Sequence, residues 1–235
     1  MIALAYNNNL LKFNNYAIDP SNIQSPIPAK TMRLDFKYDH FNPITGLTDY
    51  GGIGATWTHV HDDIYDFYYN NTNWGSRAWA NINGGIGGLF NTYAYRGSSY
   101  VYPMTQHEYD VIDMNLDGVT NVSQLLGSAY KARNLFSIRN TGSVTNFDRF
   151  LAHGNRVMLY TSIPLFDTSS ATNVANMCKQ AKNVTTGALA LYTQMSTQTN
   201  PPSSYNGCFS NCGSNTRTGK AELAQIPKSW GGTAG

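Results

Sequence analysis

The chain has 235 residues, of which 13% are charged, and its formal net charge at pH 7 is +2. This length allows one large or two small domains with a real hydrophobic core, so stability does not require a disulfide framework. The low charge argues against a strongly electrostatic nucleic-acid-binding protein. Its 26 Asn, 21 Gly and 16 Tyr residues are typical of turns and of surfaces that contact protein or carbohydrate.

Residues 1–30 are expected to form an N-terminal hairpin and a proline-containing segment that attaches the chain to a larger assembly. A small hairpin is expected over residues 1–18, and the following polar stretch with Pro20, Pro26 and Pro28 is typical of a linker. The first residues lack the basic region and the apolar run of a secretory signal, and no later run approaches a transmembrane span. We therefore expect synthesis in a cytoplasm without export by the usual route, and no membrane insertion.

Residues 31–104 predict a compact β-rich domain with many aromatic side chains. Residues 32–38 alternate apolar and charged side chains, which indicates a strand with one buried face and one wet face. A Gly-rich turn over residues 41–56 leads to a second β-like run over residues 57–69.

One short pattern appears three times within residues 105–186. Thr120-Asn121, Thr145-Asn146 and Thr172-Asn173 are spaced by 25 and 27 residues, and apolar residues follow each pair at i, i+3 and i+4. This spacing predicts an apolar stripe on a short helix, with the Thr or the Asn as N-cap. Thr145 with Asp148 resembles a capping box. The predicted repeat core is Val122, Leu125, Leu126, Phe147, Phe150, Leu151, Val174, Met177 and Cys178.

The segments before two of these helices repeat as well, because residues 136–143 align without a gap on residues 163–170. Apolar residues recur there with the period of two that indicates a short strand with one buried face. Each unit of strand, turn and short helix cannot bury its apolar face alone, so the units are expected to stack as a short solenoid. The residues of the predicted buried strand face are Phe136, Ile138, Ile163 and Leu165.

Residues 162–174 resemble the repeat unit of BspA-like leucine-rich-repeat proteins, whose strand and turn read leucine-proline-leucine-phenylalanine-aspartate-threonine-serine-serine. Residues 187–196 and 221–230 resemble the ending of many such proteins, which occur in gut Bacteroidetes and in their phages, including the crAss-like group. The resemblance covers roughly residues 105–235 well and residues 30–80 more loosely.

The resemblance implies an α+β protein in which a β-rich domain is followed by a short leucine-rich-repeat solenoid. About three repeat units would occupy residues 105–186, and a helical cap would occupy residues 187–235. Two residues at the end of the third unit, Met177 and Cys178, stand where the family usually has an aromatic residue and a cysteine.

A calcium loop is one alternative for residues 113–118. Asp113, Asn115, Asp117 and Gly118 match the start of an EF-hand loop, in which oxygen ligands surround a hard cation. The twelfth position of that loop should be a bidentate acid, but it is Gln124 here. Residues 118–121 also form the predicted turn into the first repeat helix, and this turn is the expected structure.

Two histidines and three cysteines are candidate metal ligands, but no metal or cofactor is expected. His59 and His61 alternate on one strand, but a metal site needs three or four convergent ligands. Cys178 is expected to act as a small apolar core residue. Cys208 and Cys212 lack a second pair, so zinc is not expected, and free thiols are the default unless oxidation after release pairs them.

An enzyme is not expected either. The only glutamates are Glu108 and Glu222, and the pattern singles out no pair of carboxylates of the kind that a glycosidase requires. The Gly-rich residues 84–88 lack the Lys-Ser/Thr ending of a phosphate loop.

Two functions remain from different classes. The first is a non-enzymatic virion structural protein, as a head fibre, capsid decoration or tail-associated module. It would form homo-oligomers and contact capsid or other virion proteins and a glycan or protein of the host surface. The alternative is a bacterial cell-surface adhesin that binds host protein or glycan. The missing export signal favours the virion protein.

Overall fold

A computed structural model of the chain describes residues 27–46, 55–75, 90, 107–127, 129, 131–152 and 159–234. The predicted hairpin over residues 1–18 and the glycines at 84–88 lie outside the described residues. The strands are β1 (Thr31–Asp35), β2 (Ala55–His61), β3 (Ile64–Tyr69), β4 (Tyr109–Asn115), β5 (Ala132–Leu135) and β6 (Ile138–Arg139). The helices with bounds in these ranges are α1 (Pro43–Gly46), α2 (Ala188–Thr197), α3 (Arg217–Leu223) and a 3-10 helix at Lys228–Trp230.

The six strands form one mixed sheet. Its order is β2-β3-β1-β4-β5, and β6 pairs with β4 beyond the end of β5. β1 lies antiparallel to β3 and β4, and β2 lies antiparallel to β3, whereas β5 and β6 lie parallel to β4. The run predicted over residues 57–69 is therefore a hairpin, which turns at Asp62 with a left-handed φ of 45°. A sheet of six strands with few helices makes the chain an α+β protein.

Both faces of β1 are buried. The sequence predicted that Arg33 and Asp35 face water, and this is wrong, since they are 7% and 5% exposed. Each has a partner of opposite charge: Arg33 Nε lies 2.7 Å from Asp66 Oδ1, and Asp35 Oδ2 lies 3.1 Å from Lys37 Nζ. Charged side chains can be buried when they are paired in this way. The residues on the opposite, apolar face are Met32, Leu34 and Phe36.

A stack of turns continues from the sheet towards the C-terminus. Isolated parallel bridges join Asn73 to Asn121, Asn121 to Asn146, Asn146 to Asn173, and Asn173 to Ser204. We call this stack the Asn ladder, and each of the five levels that begin at these residues a rung. The steps between rungs are 48, 25, 27 and 31 residues. The first rung belongs to the segment predicted as a separate β-rich domain.

Backbone hydrogen bonds join each rung to the next. Val122 N–H donates to Asn146 O at 3.0 Å, and Leu126 N–H donates to Phe150 O at 3.0 Å. The same alternation joins the third rung to the fourth and the fourth to the fifth. Amides of alternate residues thus point to the neighbouring level, as they do between parallel strands.

The sequence predicted a short helix in each repeat, and the described residues form turns there instead. The fourth residue of four successive rungs has a left-handed φ: 58° at Gln124, 53° at Arg149, 55° at Asn176 and 65° at Gly207. A left-handed residue interrupts a right-handed helix. Backbone amides that would donate to carbonyls within a helix donate instead to carbonyls of the next rung. This explains why the helices do not form.

One hydrophobic core extends from the sheet through the Asn ladder to Trp230. The nine residues predicted as repeat core all belong to it and are 0% exposed. β4, which follows the predicted boundary at residue 104, pairs with β1, which precedes it. In the described residues, that boundary therefore does not separate two cores.

Residues 163–165 were predicted to form a strand with Ile163 and Leu165 on its buried face, and the structure buries a different set of side chains. Ile163 is 4% exposed, but Leu165 is 59% exposed and the next residue, Phe166, is 3% exposed. The expectation that Leu165 is buried is wrong, because this segment is not a regular strand. Among the described residues no bridge falls within this segment, and the isolated pair of Ser162 with Thr186 lies directly before it.

The last rung is covered by the C-terminal residues. The Trp230 ring stacks on Tyr205 with centroids 4.4 Å apart and meets the Tyr192 ring edge-on at 5.5 Å. Phe209 N–H donates to Trp230 O at 2.9 Å. The 3-10 helix therefore packs against the end of the ladder where a further rung would otherwise lie.

Candidate functional site

The asparagines of the ladder shape the start of each rung. The Oδ1 atoms of Asn73, Asn121, Asn146 and Asn173 each accept the backbone N–H two residues later, at 2.9–3.0 Å. Asparagine forms this local turn readily because its short side chain imitates a backbone carbonyl. The Asn was predicted to cap a helix, and it caps a turn.

The residue before each of these positions carries an exposed hydroxyl. Thr120 Oγ1 donates to Thr72 O at 3.2 Å, Thr145 Oγ1 to Thr120 O at 3.2 Å, and Thr172 Oγ1 to Thr145 O at 3.1 Å. Ser203 Oγ continues the series by donating to Thr172 O at 3.2 Å. We call the exposed side chains of five residues the hydroxyl column: Thr72, Thr120, Thr145, Thr172 and Ser203.

The predicted capping box of Thr145 and Asp148 is not formed. Thr145 Oγ1 donates to the preceding rung, whereas Asp148 N–H donates to Asn146 Oδ1 at 3.0 Å. The Asp148 carboxylate lies 2.8 Å from Arg149 Nη1. Without a helix there are no first-turn amides for a capping box to satisfy.

The hydroxyl column presents hydrogen-bond acceptors in a regular series. Parallel-bridged levels are about 4.8 Å apart, and the hydroxyl hydrogens of Thr120, Thr145, Thr172 and Ser203 are directed to a carbonyl of the preceding rung. The remaining lone pairs of each oxygen are left for a partner. The column itself carries no charge, so it suits a partner that offers neutral donors, such as protein amides or sugar hydroxyls.

A second polar feature lies on the sheet, and we call it the Asp110 cluster. The Asp110 side chain is 1% exposed, yet three groups donate to it. Lys37 Nζ lies 2.5 Å from Oδ2, Asn134 Nδ2 lies 2.7 Å from Oδ1, and Tyr38 OH lies 3.0 Å from both oxygens. Asp35 completes the cluster through Lys37. These contacts connect the end of β1 to β4 and β5.

Burial and charge shift the protonation of the Asp110 cluster. Burial raises the pKa of Asp35, although Lys37 opposes the change. Burial and the negative charge of Asp110 raise the pKa of Tyr38 to about 12. Burial disfavours the charged form of Lys37, but its bonds to Asp110 and Asp35 prevail and raise its pKa. Lys37 and Tyr38 are therefore held protonated as donors, which suits a structural role.

The other carboxylates of the sheet are also paired. Asp113 Oδ2 lies 2.8 Å from Arg139 Nε. Glu108 contacts both Lys131 and Arg133; although partial burial acts against it, these cations hold the pKa of Glu108 below its usual value. A carboxylate with a lowered pKa is a poor general acid at neutral pH.

The candidate calcium residues are engaged in a turn. Val119 N–H donates to Leu116 O at 2.9 Å, which closes the turn. Asn115 Oδ1 accepts from Asp117 N–H at 3.2 Å and from Asn140 Nδ2 at 2.9 Å. Within the described ranges, no three His, Cys, Asp or Glu side chains are grouped so that they could hold a metal ion.

The two candidate histidines contact one aspartate rather than each other. His59 Nε2 lies 2.8 Å from Asp62 O, and His61 Nδ1 lies 3.0 Å from Asp62 Oδ2. The strand register shifts between His59 and His61. The shift disturbs the alternation that was expected to place both imidazoles on one face.

The three cysteines lie together at the C-terminal part of the core. Cys178, Cys208 and Cys212 are free thiols and are 0% exposed. Cys178 N–H donates to Cys208 O at 2.8 Å, so these two cysteines lie on adjacent rungs. Burial raises the pKa of each thiol, which makes them poor nucleophiles.

Glu222 has a role that sequence reasoning missed. From α3 it accepts Gly187 N–H at 3.3 Å and Leu189 N–H at 3.1 Å, at the start of α2. The N-cap of α2 is Gly187, which has no side chain to accept these amides, and the first turn has no acidic residue. The carboxylate therefore supplies both the cap and a favourable charge for the helix dipole.

Replacing Glu222 by alanine is expected to lower the free energy of unfolding by about 1–2 kcal/mol, because two amides at the α2 terminus lose their acceptor. Glu222→Gln keeps an acceptor and should lose about half as much. Urea unfolding followed by circular dichroism measures both. Lys220→Ala, on the exposed side of α3, is the control and should change stability by less than about 0.5 kcal/mol. A Glu222→Ala loss no larger than the control would remove the capping role.

Sequence reasoning also missed two other features, and only the first of them has a recognisable pattern in the sequence. The first rung could have been found, since Thr72-Asn73 repeats the Thr-Asn pair and the apolar Trp74 follows it. Trp74 N–H donates to Asn121 O at 2.8 Å, as in the later rungs. The Asp110 cluster had no sequence signal, because Lys37 and Asp110 are 73 residues apart.

The chain was compared with protein-family models, curated proteins and solved structures, and none of them matches it. None of the helices in the described ranges has the length and apolar character needed to cross a lipid bilayer.

Proposed function

We propose that this protein is a non-enzymatic structural protein of a phage virion. It would serve as a head fibre, capsid decoration or tail-associated module in particle assembly, in attachment to the host surface, or in both. The observation that carries the proposal is the Asn ladder with its exposed hydroxyl column. One core joins the ladder to the sheet, so the column is displayed on a fixed scaffold.

We also propose that the ladder is a short solenoid of the BspA-like leucine-rich-repeat type, with residues 187–235 as its cap. Three features support this: repeat steps of 25 and 27 residues, parallel bridges between the levels, and the stacking of Trp230 on Tyr205. A solenoid needs a cap because its terminal unit otherwise leaves its apolar core open to water.

The thiols favour a virion protein over a secreted one. Cys178, Cys208 and Cys212 are all buried and free. Disulfides are common in chains that mature in oxidising compartments and rare in chains that fold in a reducing cytoplasm. Phage particles assemble in the host cytoplasm, which suits a chain that keeps three free thiols in its core.

The alternative is a bacterial cell-surface adhesin of the same repeat type. The hydroxyl column is the observation in its favour, since acceptors in a regular series suit the hydroxyls of a host glycan as well as the amides of a protein. A single experiment distinguishes the virion protein from the adhesin.

The test is quantitative mass spectrometry of purified phage particles and of the cell-envelope fraction, from a lysed Bacteroidetes culture that carries the gene. We expect the chain in the particles at a fixed ratio to the major capsid protein, with an abundant host cytoplasmic protein as the control for contamination. Enrichment in the envelope with depletion from particles would overturn the virion proposal and support the adhesin.

A further inference from the structure

β2 lies at one edge of the sheet. It has seven residues, Ala55–His61, and among the described residues only β3 pairs with it. Its second edge therefore carries a row of backbone N–H and C=O groups to which no described strand is bonded. Such a row is a template for pairing with another strand.

β2 lacks most of the devices that protect edge strands. Natural edges are commonly blocked by Lys, by Pro or by a bulge, but β2 reads Ala-Thr-Trp-Thr-His-Val-His. Its β-branched and aromatic residues favour strands. The pairing with β3 is regular from Ala55–Tyr69 to His59–Tyr65, and it shifts only beyond His59. Residues 55–59 thus form a regular edge of five residues.

We propose that two copies of this chain pair antiparallel through β2, with the two-fold axis at Trp57. This axis is the centre of residues 55–59, and it places Thr56 of each copy opposite Thr58 of the other. Trp57 then faces Trp57 of the second copy. Threonine pairs and aromatic pairs directly opposite each other stabilise antiparallel sheets. The segment has no Asp, Glu, Lys or Arg, so no like charges meet.

The side chains of this segment are arranged for such pairing. Thr56 and Thr58 are exposed. Trp57 is held from the core side, with its ring centroid 4.9 Å from that of Phe67 and 6.3 Å from that of Phe36. The strand is therefore fixed before association, which reduces the entropy lost on binding. One continuous sheet would cross both copies.

The interface is small, because five residues from each copy make the central contacts. Small interfaces are typical of weak, reversible association, so we expect a dissociation constant of about 1–100 µM. The inference goes beyond the proposed function and does not depend on it. A solution dimer can form whether the protein belongs to a virion or to a cell surface.

The first test is a charge swap in the full chain. Thr56→Lys/Thr58→Lys and Thr56→Glu/Thr58→Glu each place like charges opposite each other in the paired strands, so each variant should dissociate at least about tenfold more readily than the wild type. Mixed in equal amounts they should form a heterodimer, because every Lys then faces a Glu. Sedimentation velocity measures association, and Ser143→Lys, an exposed site outside the sheet, should behave as the wild type.

Three outcomes would overturn the inference. They are a wild type that stays monomeric at about 100 µM, double variants that self-associate as the wild type does, and folded variants that fail to pair when mixed. If the charged variants do not fold, a second measurement still tests the inference. Thr56→Cys mixed with Thr58→Cys should give disulfide-linked dimers under mild oxidation, in excess of either variant alone. Equal crosslinking in all three samples would contradict the register, and the native thiols, which are buried, should not interfere.

Discussion

Replacing Asp110 by alanine is expected to lower the free energy of unfolding by about 3–5 kcal/mol. The side chain of Lys37 is only 16% exposed, and it would lose the carboxylate that it contacts at 2.5 Å while keeping the carboxylate of Asp35 at 3.1 Å. Asn134 and Tyr38 would each lose a hydrogen-bond acceptor in a partly buried site. Removing one charged member of such a network lowers stability by more than the ion pair itself contributes, because the remaining charge stays poorly solvated. Urea unfolding monitored by tryptophan fluorescence measures the loss.

Glu108→Ala is the matched control, since it also removes one carboxylate of the sheet, which contacts the cations of Lys131 and Arg133. Its partners Lys131 and Arg133 are more exposed, at 29% and 43% of their side chains, so water can solvate them after the change. The expected loss is about 0–1 kcal/mol. Equal losses for Asp110→Ala and Glu108→Ala would show that burial of the Asp110 cluster does not matter for stability.

Replacing Phe147 by alanine is the second large effect that we expect, again about 3–5 kcal/mol. Phe147 is 0% exposed in the middle of the Asn ladder. Its ring stacks on Phe166 at a centroid distance of 5.5 Å and meets Phe150 at 5.9 Å. Alanine would leave a cavity between these rings that the hydrogen-bonded rungs cannot collapse to fill. Thermal and urea unfolding both measure the change.

Leu165→Ala is the control for this substitution. Leu165 lies next to Phe166 in the chain, but it is 59% exposed, so the expected change is within about 0.5 kcal/mol. The alternation of residues 163–165 predicted the reverse, with Leu165 in the core. A loss of more than about 2 kcal/mol would indicate that Leu165 is buried.

The apolar positions of the repeat could be read from the chain alone, but their backbone conformation could not. Val122, Leu125 and Leu126 are spaced as on one face of a helix, and they are buried as expected. The turn that actually forms also brings i, i+3 and i+4 to one side. The spacing therefore does not distinguish the two conformations. The left-handed Gln124, which decides between them, is not a residue type that signals such a turn.

The hydroxyl column could be predicted only in part, for a related reason. The Thr-Asn pairs predict helix caps, because in a single chain a hydroxyl before an apolar stripe is typical of a cap. In the folded chain Thr145 Oγ1 donates to Thr120 O instead, and that carbonyl becomes available only when the rungs stack. The hydroxyl column is thus a property of stacking and not of any one repeat.

The sequence by itself determined that the nine apolar residues of the repeat core are buried and that the repeat recurs every 25 to 27 residues, because both are short-range patterns of side-chain type. It also determined the low charge of the surface. Only the tertiary structure decided that the repeats are turns, that Asp110 receives Lys37 and Asn134, and that Glu222 caps α2. The physical reason is the same in each case: a backbone amide or a charge is satisfied by a partner many residues away, and chain folding alone determines which partner lies within hydrogen-bond distance.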